Sequence, residues 1–183
     1  MVIFRVCIVT MLLTFLYLAS TVLLTNLLFH HQSNGSFIKT NNKIVGSKLL
    51  GQEFKSSFYF HNRPSAFNYK NDISGNSNFP YYSESLKLFI KEKLRTFTNF
   101  NPGTNPDLNI LTESASGLDP HITYTGAISQ VNRIANIKSI DRQILIGLIE
   151  KHSRPRVFGL FGEKIISVLE LNIELEKLYA KTS

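Results

Sequence analysis

Tryptophan is absent from this chain of 183 residues, and cysteine occurs once. The lone Cys7 sits in an apolar N-terminal stretch, so no disulfide can close within the chain and the redox compartment stays open. Cations exceed acids, giving a formal net charge of +7, yet Lys and Arg are scattered and form no dense run. The excess therefore reads as a solvated basic surface, suited to anionic lipid or an acidic partner, and not as a nucleic-acid site. No Gly-rich loop ends in Lys-Ser/Thr, which excludes a P-loop. Gly159-Leu160-Phe161-Gly162-Glu163 lacks the phosphate-cradling spacing and reads as a turn. His30-His31 has no nearby Cys or carboxylate, so no metal site is expected. There is no internal repeat and no low-complexity tract.

What the chain does have is a long apolar start. Residues 1–5 form a short tail, and Val6 to Phe29 carries no charge. At 1.5 Å per residue that stretch spans about 36 Å, enough for a bilayer core of about 30 Å with some tilt. Ser33 and Gly35 make a poor cleavage site, so the segment reads as an uncleaved single-pass anchor. Thr10, Thr14, Tyr17, Thr21 and Thr25 recur every three or four positions and share one helix face. They can hydrogen-bond to a partner span, or back-bond to their own helix. Orientation stays open: Lys39, Lys43 and Lys48 outnumber Arg5, but long domains translocate largely regardless of charge. Residues 30–42 read as a polar linker. Asn34-Gly35-Ser36 fits a glycosylation pattern that matters only in a eukaryotic secretory path.

Residues 43–183 read as a small soluble domain of class α+β. Ile44 to Phe60 suggests a short strand and an aromatic-rich turn. Arg63, before Pro64 and Ser65, is expected to be non-helical. Asn68 to Ser83 is expected as a surface loop. Ser83 is the expected cap of a helix from Glu84 to about Phe97, with Leu86, Phe89, Ile90, Leu94 and Phe97 on one face. Residues 99–109 read as a further loop. A second helix is predicted over Tyr124 to Asn136 with Thr123 as cap, and a third over Ile140 to His152 with Ser139 as cap. The stripe of the third is Ile144, Leu145, Leu148 and Ile149. Ile165 to Leu171, apolar and β-branched at several positions, reads as a strand. Ile173 to Tyr179 reads as a terminal helix with Leu175 and Leu178 facing inward.

The centre of the domain is Ser116-Gly117-Leu118-Asp119-Pro120-His121. Gly117 can take φ > 0 without steric cost, and Pro120 keeps Asp119 out of the helical region. Asp119 is therefore expected to be presented by a stiff turn, within reach of the N–H groups of the following helix. The plain reading is a turn and a cap; the sharper one is recognition or catalysis. A hydrolase built from Ser114 or Ser116, His121 and Asp119 needs a nucleophile and base about 3 Å apart with a third orienting group. Three such residues in one tight turn rarely reach that geometry, and the strand–turn–helix serine elbow is missing. Gln130 and Arg133 lie three apart on one helix and can form a polar patch or a solvated face.

Several stretches, taken in order, resemble one family, the C subunit of the Kdp-type potassium-transporting P-type ATPase. They are the anchor; Gly46-Ser47-Lys48-Leu49-Leu50-Gly51-Gln52; Tyr59-Phe60-His61-Asn62-Arg63-Pro64-Ser65-Ala66; Ser114 to Ile122; Gln130-Val131-Asn132-Arg133-Ile134-Ala135; Gly159 to Glu163; and Val168-Leu169-Glu170-Leu171-Asn172. The set covers almost the whole chain. Departures are Asn62 where Gly is usual, Glu113 and Ala115 where Ala and Gly are usual, and Gly75 to Phe79, which keeps the family loop only in part. The resemblance implies an accessory subunit without catalytic residues in a bacterial plasma-membrane complex for high-affinity potassium uptake. The implied partners are a channel-like potassium-binding subunit, a P-type ATPase subunit phosphorylated on Asp and a small hydrophobic subunit. It implies a role in assembly, in raising the ATPase subunit's affinity for ATP as a catalytic chaperone, or both. No tightly bound cofactor is implied: ATP would be contacted transiently at Gln130, and K+ handled by the partners. The family fold implies a domain outside the cytoplasm, which conflicts with contact to cytoplasmic ATP, and the external placement is preferred. A membrane-anchored hydrolase and an assembly factor for a different membrane complex are the alternatives.

Overall fold

The computed structural model describes residues 1–182. It divides into two compact units, Met1–Ser47 and the chain from Lys48 onward. In the first unit, helix α1 runs from Val2 to Leu28. Its length, and a mean hydropathy of 2.3 over an 18-residue window, suit a membrane crossing. It starts earlier than the uncharged run because Arg5 is tolerated in a first turn and its N–H bonds back to Met1 O. A single helical turn, α2 (His30–Ser33), follows. Strands β1 (Phe37–Thr40) and β2 (Lys43–Ser47) then pair antiparallel, Thr40 facing Lys43. The polar stretch expected as a plain linker thus contains a strand. Asn41 and Asn42, at φ 50° and 61°, make the two-residue left-handed turn whose twist matches a hairpin.

In the second unit, α3 spans Glu84–Phe100, with Ser83 Oγ accepting from Leu86 N at 3.1 Å as the sequence suggests. Only Phe97 of its apolar face is buried, and Leu94 is 40% exposed. Asp107 caps the short α4 (Leu108–Leu111). Two three-residue strands, β3 (His121–Thr123) and β4 (Ile165–Ser167), pair antiparallel at the centre. Bonds from Tyr124 N to Lys164 O (2.9 Å) and Val168 N to Pro120 O (3.0 Å) extend the ladder at both ends. β3 runs into α5 (Tyr124–Ile128), where Thr123 Oγ1 accepts from Gly126 N at 3.0 Å.

The single helix expected over Tyr124–Asn136 is two: α6 (Val131–Lys138) begins after a break at Ser129-Gln130. Here Gln130 N bonds to Ala127 O, while Gly126 O takes the Ser129 hydroxyl and the Gln130 side-chain amide instead. Side chains inserted into the i→i−4 ladder break a helix in this way. Ser139 is not the cap of the third helix; it is left-handed (φ 53°) and closes α6. Asp141 caps α7 (Arg142–His152), accepting from Gln143 N at 2.6 Å. Leu145 and Ile149 are fully buried, but Ile144 of the expected stripe is half exposed. The strand expected through Leu171 stops at Ser167, because Ser167 Oγ accepts from Glu170 N (3.4 Å) and starts α8 (Val168–Thr182). Leu175 is fully buried and Leu178 packs on the core, as expected.

Candidate functional site

The turn at Asp119 is the meeting point of several loops. Gly51 N donates to Leu118 O at 2.7 Å. A Cβ on Gly51 would stand 2.6 Å from Asp119 O. Gly75 N and the Ser74 hydroxyl both donate to Ser116 O, at 2.9 and 3.2 Å. Gly117 has φ +67°, and a Cβ there would lie 2.7 Å from Gly75 O. Inside the turn, Leu118 N donates to Ser116 Oγ at 3.1 Å. The turn borders a cleft of about 540 Å³ with Leu49, Leu50 and Arg63 on its walls.

Asp119 does not reach the helix that follows; β3 intervenes and Thr123 is the cap. Its Oδ1 accepts from His121 N at 3.0 Å, with His121 Nδ1 at 3.4 Å. Its Oδ2 lies 3.5 Å from Arg63 Nη1. Burial alone would raise this carboxyl's pKa, but the His121 and Arg63 contacts outweigh it and hold it below the ordinary aspartate value. Arg63 fastens the turn to its neighbour, donating from Nε to Thr112 O (3.3 Å) and from Nη2 to Glu113 O (2.9 Å). Glu113 Oε2 in turn accepts from Ser77 N at 2.9 Å. Two of the departures from the family pattern, Glu113 and the 75–79 loop, therefore touch each other. The Tyr69 hydroxyl donates to Arg63 O, and Ser65 Oγ accepts from Tyr69 N at 3.1 Å. With Pro64 between them, Arg63 and Ser65 form the second wall of the site. Burial pushes the Tyr69 hydroxyl well above its ordinary value, so it stays a donor.

This geometry predicts a small effect for Asp119→Asn. Asparagine keeps the acceptor for His121 N, and the lost ion pair is about a third exposed on the aspartate side and screened. The expected loss is about 1 kcal/mol or less. Because the folded pKa is depressed, this contribution is present above the unfolded carboxylate value and fades as pH falls through the folded one. Wild type and variant should therefore converge in urea stability below roughly pH 4. A variant that assembles normally yet loses all ATP turnover would instead give Asp119 a direct mechanistic role.

Below the turn lies a feature that single-residue reading missed. Asn172 and Gln130 each grip one residue of the 56–62 loop by both backbone groups. Phe60 N donates to Asn172 Oδ1 (2.8 Å) and Asn172 Nδ2 donates to Phe60 O (2.9 Å). His61 N donates to Gln130 Oε1 (2.8 Å) and Gln130 Nε2 donates to His61 O (3.1 Å). Two carboxamides replace a strand partner for two consecutive residues. Gln130 Oε1 also accepts from Arg133 Nη2 at 2.9 Å. Gln130 is 1% exposed.

Arg133 is buried too and bonds only neutral groups: Asn101 Oδ1 from Nε at 2.9 Å, Ser57 O and Gln130 Oε1. Burial pulls its pKa down to about 10, which leaves it charged at neutral pH. Gln130 and Arg133 are thus brought together as expected, but inside the domain. Burial lowers the His61 imidazole as well, opposed by the Ser56 carbonyl and reinforced by Arg133. Asp107 was also missed. It accepts from Thr123 Oγ1 (2.5 Å), Thr125 Oγ1 and Asn109 N (2.9 Å), and these outweigh a raising effect of burial to keep its pKa low. Its signal was a short acidic residue after Pro106 at the end of a loop.

For the imagined hydrolase, Ser116 Oγ serves the turn as an acceptor, and the ring contact of His121 goes to Asp119. Among the described residues no three His, Cys, Asp or Glu come together to hold a metal ion. On α1, Thr10, Thr14, Thr21 and Thr25 back-bond to the carbonyls of Val6, Thr10, Tyr17 and Thr21, at 2.7–3.0 Å. Tyr17 stands on the same face and is exposed.

The comparisons with known proteins agree over most of the length. The family model for the K+-transporting ATPase, c chain, matches residues 1–177. The potassium-transporting ATPase KdpC subunit of Caldanaerobacter subterraneus subsp. tengcongensis is 37% identical over 83% of this chain and 80% of its own. That of Synechocystis sp. is 39% identical over 88% of each chain, and that of Clostridium perfringens 33% identical over 95% and 94%. With the family model matched over residues 1–177 and relatives 33–39% identical over most of their length, this chain belongs to the KdpC family, the c chain of the K+-transporting ATPase.

Proposed function

We propose that this chain is the accessory subunit of an ATP-driven potassium uptake complex in the bacterial plasma membrane, without catalytic residues of its own. Its domain lies outside the cytoplasm and rests on the channel-like potassium-binding subunit. There it stabilises the assembly with the P-type ATPase subunit and the small hydrophobic subunit. The observation that carries this reading is the state of Gln130. Both ends of its amide are spent on His61, Gly126 and Arg133, so the residue best placed by family resemblance to meet ATP serves the scaffold. Any gain in ATP affinity of the ATPase subunit then comes through subunit contacts, with K+ and ATP bound by the partners. The Asp119 turn supports the same reading: several backbone segments are locked into one rigid surface, which suits docking.

The test is mild detergent solubilisation, pull-down on the C-terminus of this chain, and mass spectrometry of what is recovered. Co-recovery of a P-type ATPase and a channel-like subunit in fixed ratio is the expected result. Recovery of this chain alone, under conditions that keep other membrane complexes whole, would overturn the reading.

A further inference from the structure

The hairpin between α7 and β4 carries an apolar tip that none of the described residues covers. Arg154 and Ile165 pair at its base, with bonds of 2.8 and 3.3 Å. Val157 and Phe161 exchange bonds of 2.9 and 3.0 Å nearer the tip. Beyond them the chain turns through Phe158, which is held at φ +53°. An aromatic residue in that left-handed region is strained. Such strain persists where the surroundings enforce it and clusters at functional segments. Here no packing rewards it, since Phe158 is 91% exposed, Leu160 75%, Phe161 67% and Val157 60%. Contiguous exposed apolar surface of this kind marks a binding surface.

The flanks suggest the occupant. Arg154, Arg156 and Lys164 stand against the single acid Glu163 between residues 154 and 164. Arg154 leans 3.9 Å toward Glu170, and Lys164 lies over the Tyr124 ring at 4.1 Å, while Arg156 is exposed. An aromatic and aliphatic tip rimmed by cations is the pattern that enters the headgroup layer of an anionic bilayer. The same chain carries the candidate membrane span α1.

We propose that the 156–162 tip inserts into the anionic lipid surface, with Phe158 and Leu160 at the acyl boundary and Arg154 and Arg156 on lipid phosphates. The inference rests on the membrane-anchor part of the reading above and is independent of the partner subunits.

The absence of tryptophan makes the test direct. Full-length protein carrying Phe158→Trp, and a second sample carrying Tyr81→Trp at an exposed loop position, are reconstituted in nanodiscs rich in phosphatidylglycerol. Co-elution with the discs checks the anchor separately. Quenching by brominated lipid, relative to quenching by aqueous iodide, should be several-fold higher for the tip than for the loop. Arg154→Gln/Arg156→Gln in the Phe158→Trp background should lower the docked-to-undocked ratio on the order of tenfold, as expected for two cations at a lipid surface, one of them already partly paired. Equal quenching ratios at the two positions in disc-bound protein would overturn the proposal. So would a tip that becomes shielded from iodide only when the other subunits are added, which would assign it to a protein socket.

Discussion

Replacing Asn172 by alanine is expected to lower the unfolding free energy by about 2–6 kcal/mol. Among the described residues, this side chain is the only partner of both backbone groups of Phe60, a residue with no solvent exposure. Removing it orphans a buried N–H and a buried C=O, each at about 1–3 kcal/mol. In urea unfolding of the full chain in mild detergent, followed by circular dichroism, the domain's midpoint should fall by roughly 1–3 M. A loss under about 1 kcal/mol would show that water takes over both bonds and that the clamp is not structural. Asn172→Asp separates the two halves of the clamp. The introduced carboxyl can accept from Phe60 N in either form, but can donate to Phe60 O only when protonated. Burial raises its folded pKa above the unfolded value. The variant's stability is therefore greatest below the unfolded pKa and is lost as pH rises through the folded one.

Gly117→Ala carries the second large effect, about 2–5 kcal/mol. The left-handed backbone contributes about 1–2 kcal/mol. The remainder comes from a methyl placed 2.7 Å from Gly75 O, where backbone must shift, with overpacking typically costing about 1–3 kcal/mol. Gly103→Ala is the matched control, since its φ is +72° with nothing within 4 Å of the new methyl. The difference in unfolding free energy between the two variants reports the contacts with Gly75 O and, at 3.3 Å, Ser65 Oγ. Equal losses would mean that the loop yields freely. If the turn is a docking surface, Gly117→Ala should also weaken recovery of the partner subunits, while Gly103→Ala should not.

Local features of the fold were readable from the sequence where one residue decides them. Ser83 and Thr123 declared their helices because a short hydroxyl before a periodic apolar run satisfies orphan N–H groups. The apolar start of the chain was legible from hydropathy alone. Where two signals competed, the weaker one misled. Ser139 and Asp141 both qualify as caps, and the left-handed turn at the end of α6 used up the serine. Val168-Leu169 favoured a strand, although Ser167 and Glu170 already spell the serine–glutamate spacing of a capping box. The Asp119 turn was legible from Gly117 and Pro120, but its partners were not. Gly51, Arg63 and Gly75 reach it from loops whose approach no local pattern encodes. The amide clamp was hidden for the same reason: Gln130 and Asn172 look like ordinary helix residues, and Gln130 even breaks the helix it was assigned to.

The clamp also sets a timetable for biosynthesis. Phe60 and Asn172 are 112 residues apart in the chain. At a synthesis rate of about 5–20 residues per second, roughly 6–20 s pass between the making of Phe60 and of the amide that will hold it. During that interval α1 is already complete, while both backbone groups of Phe60 lack the amide that will pair them. On the proposed membrane anchoring, the nascent domain spends these seconds tethered at a bilayer with the backbone of a core phenylalanine not yet clamped, a period in which a holdase, or the lipid surface itself, governs how much of it reaches the folded state.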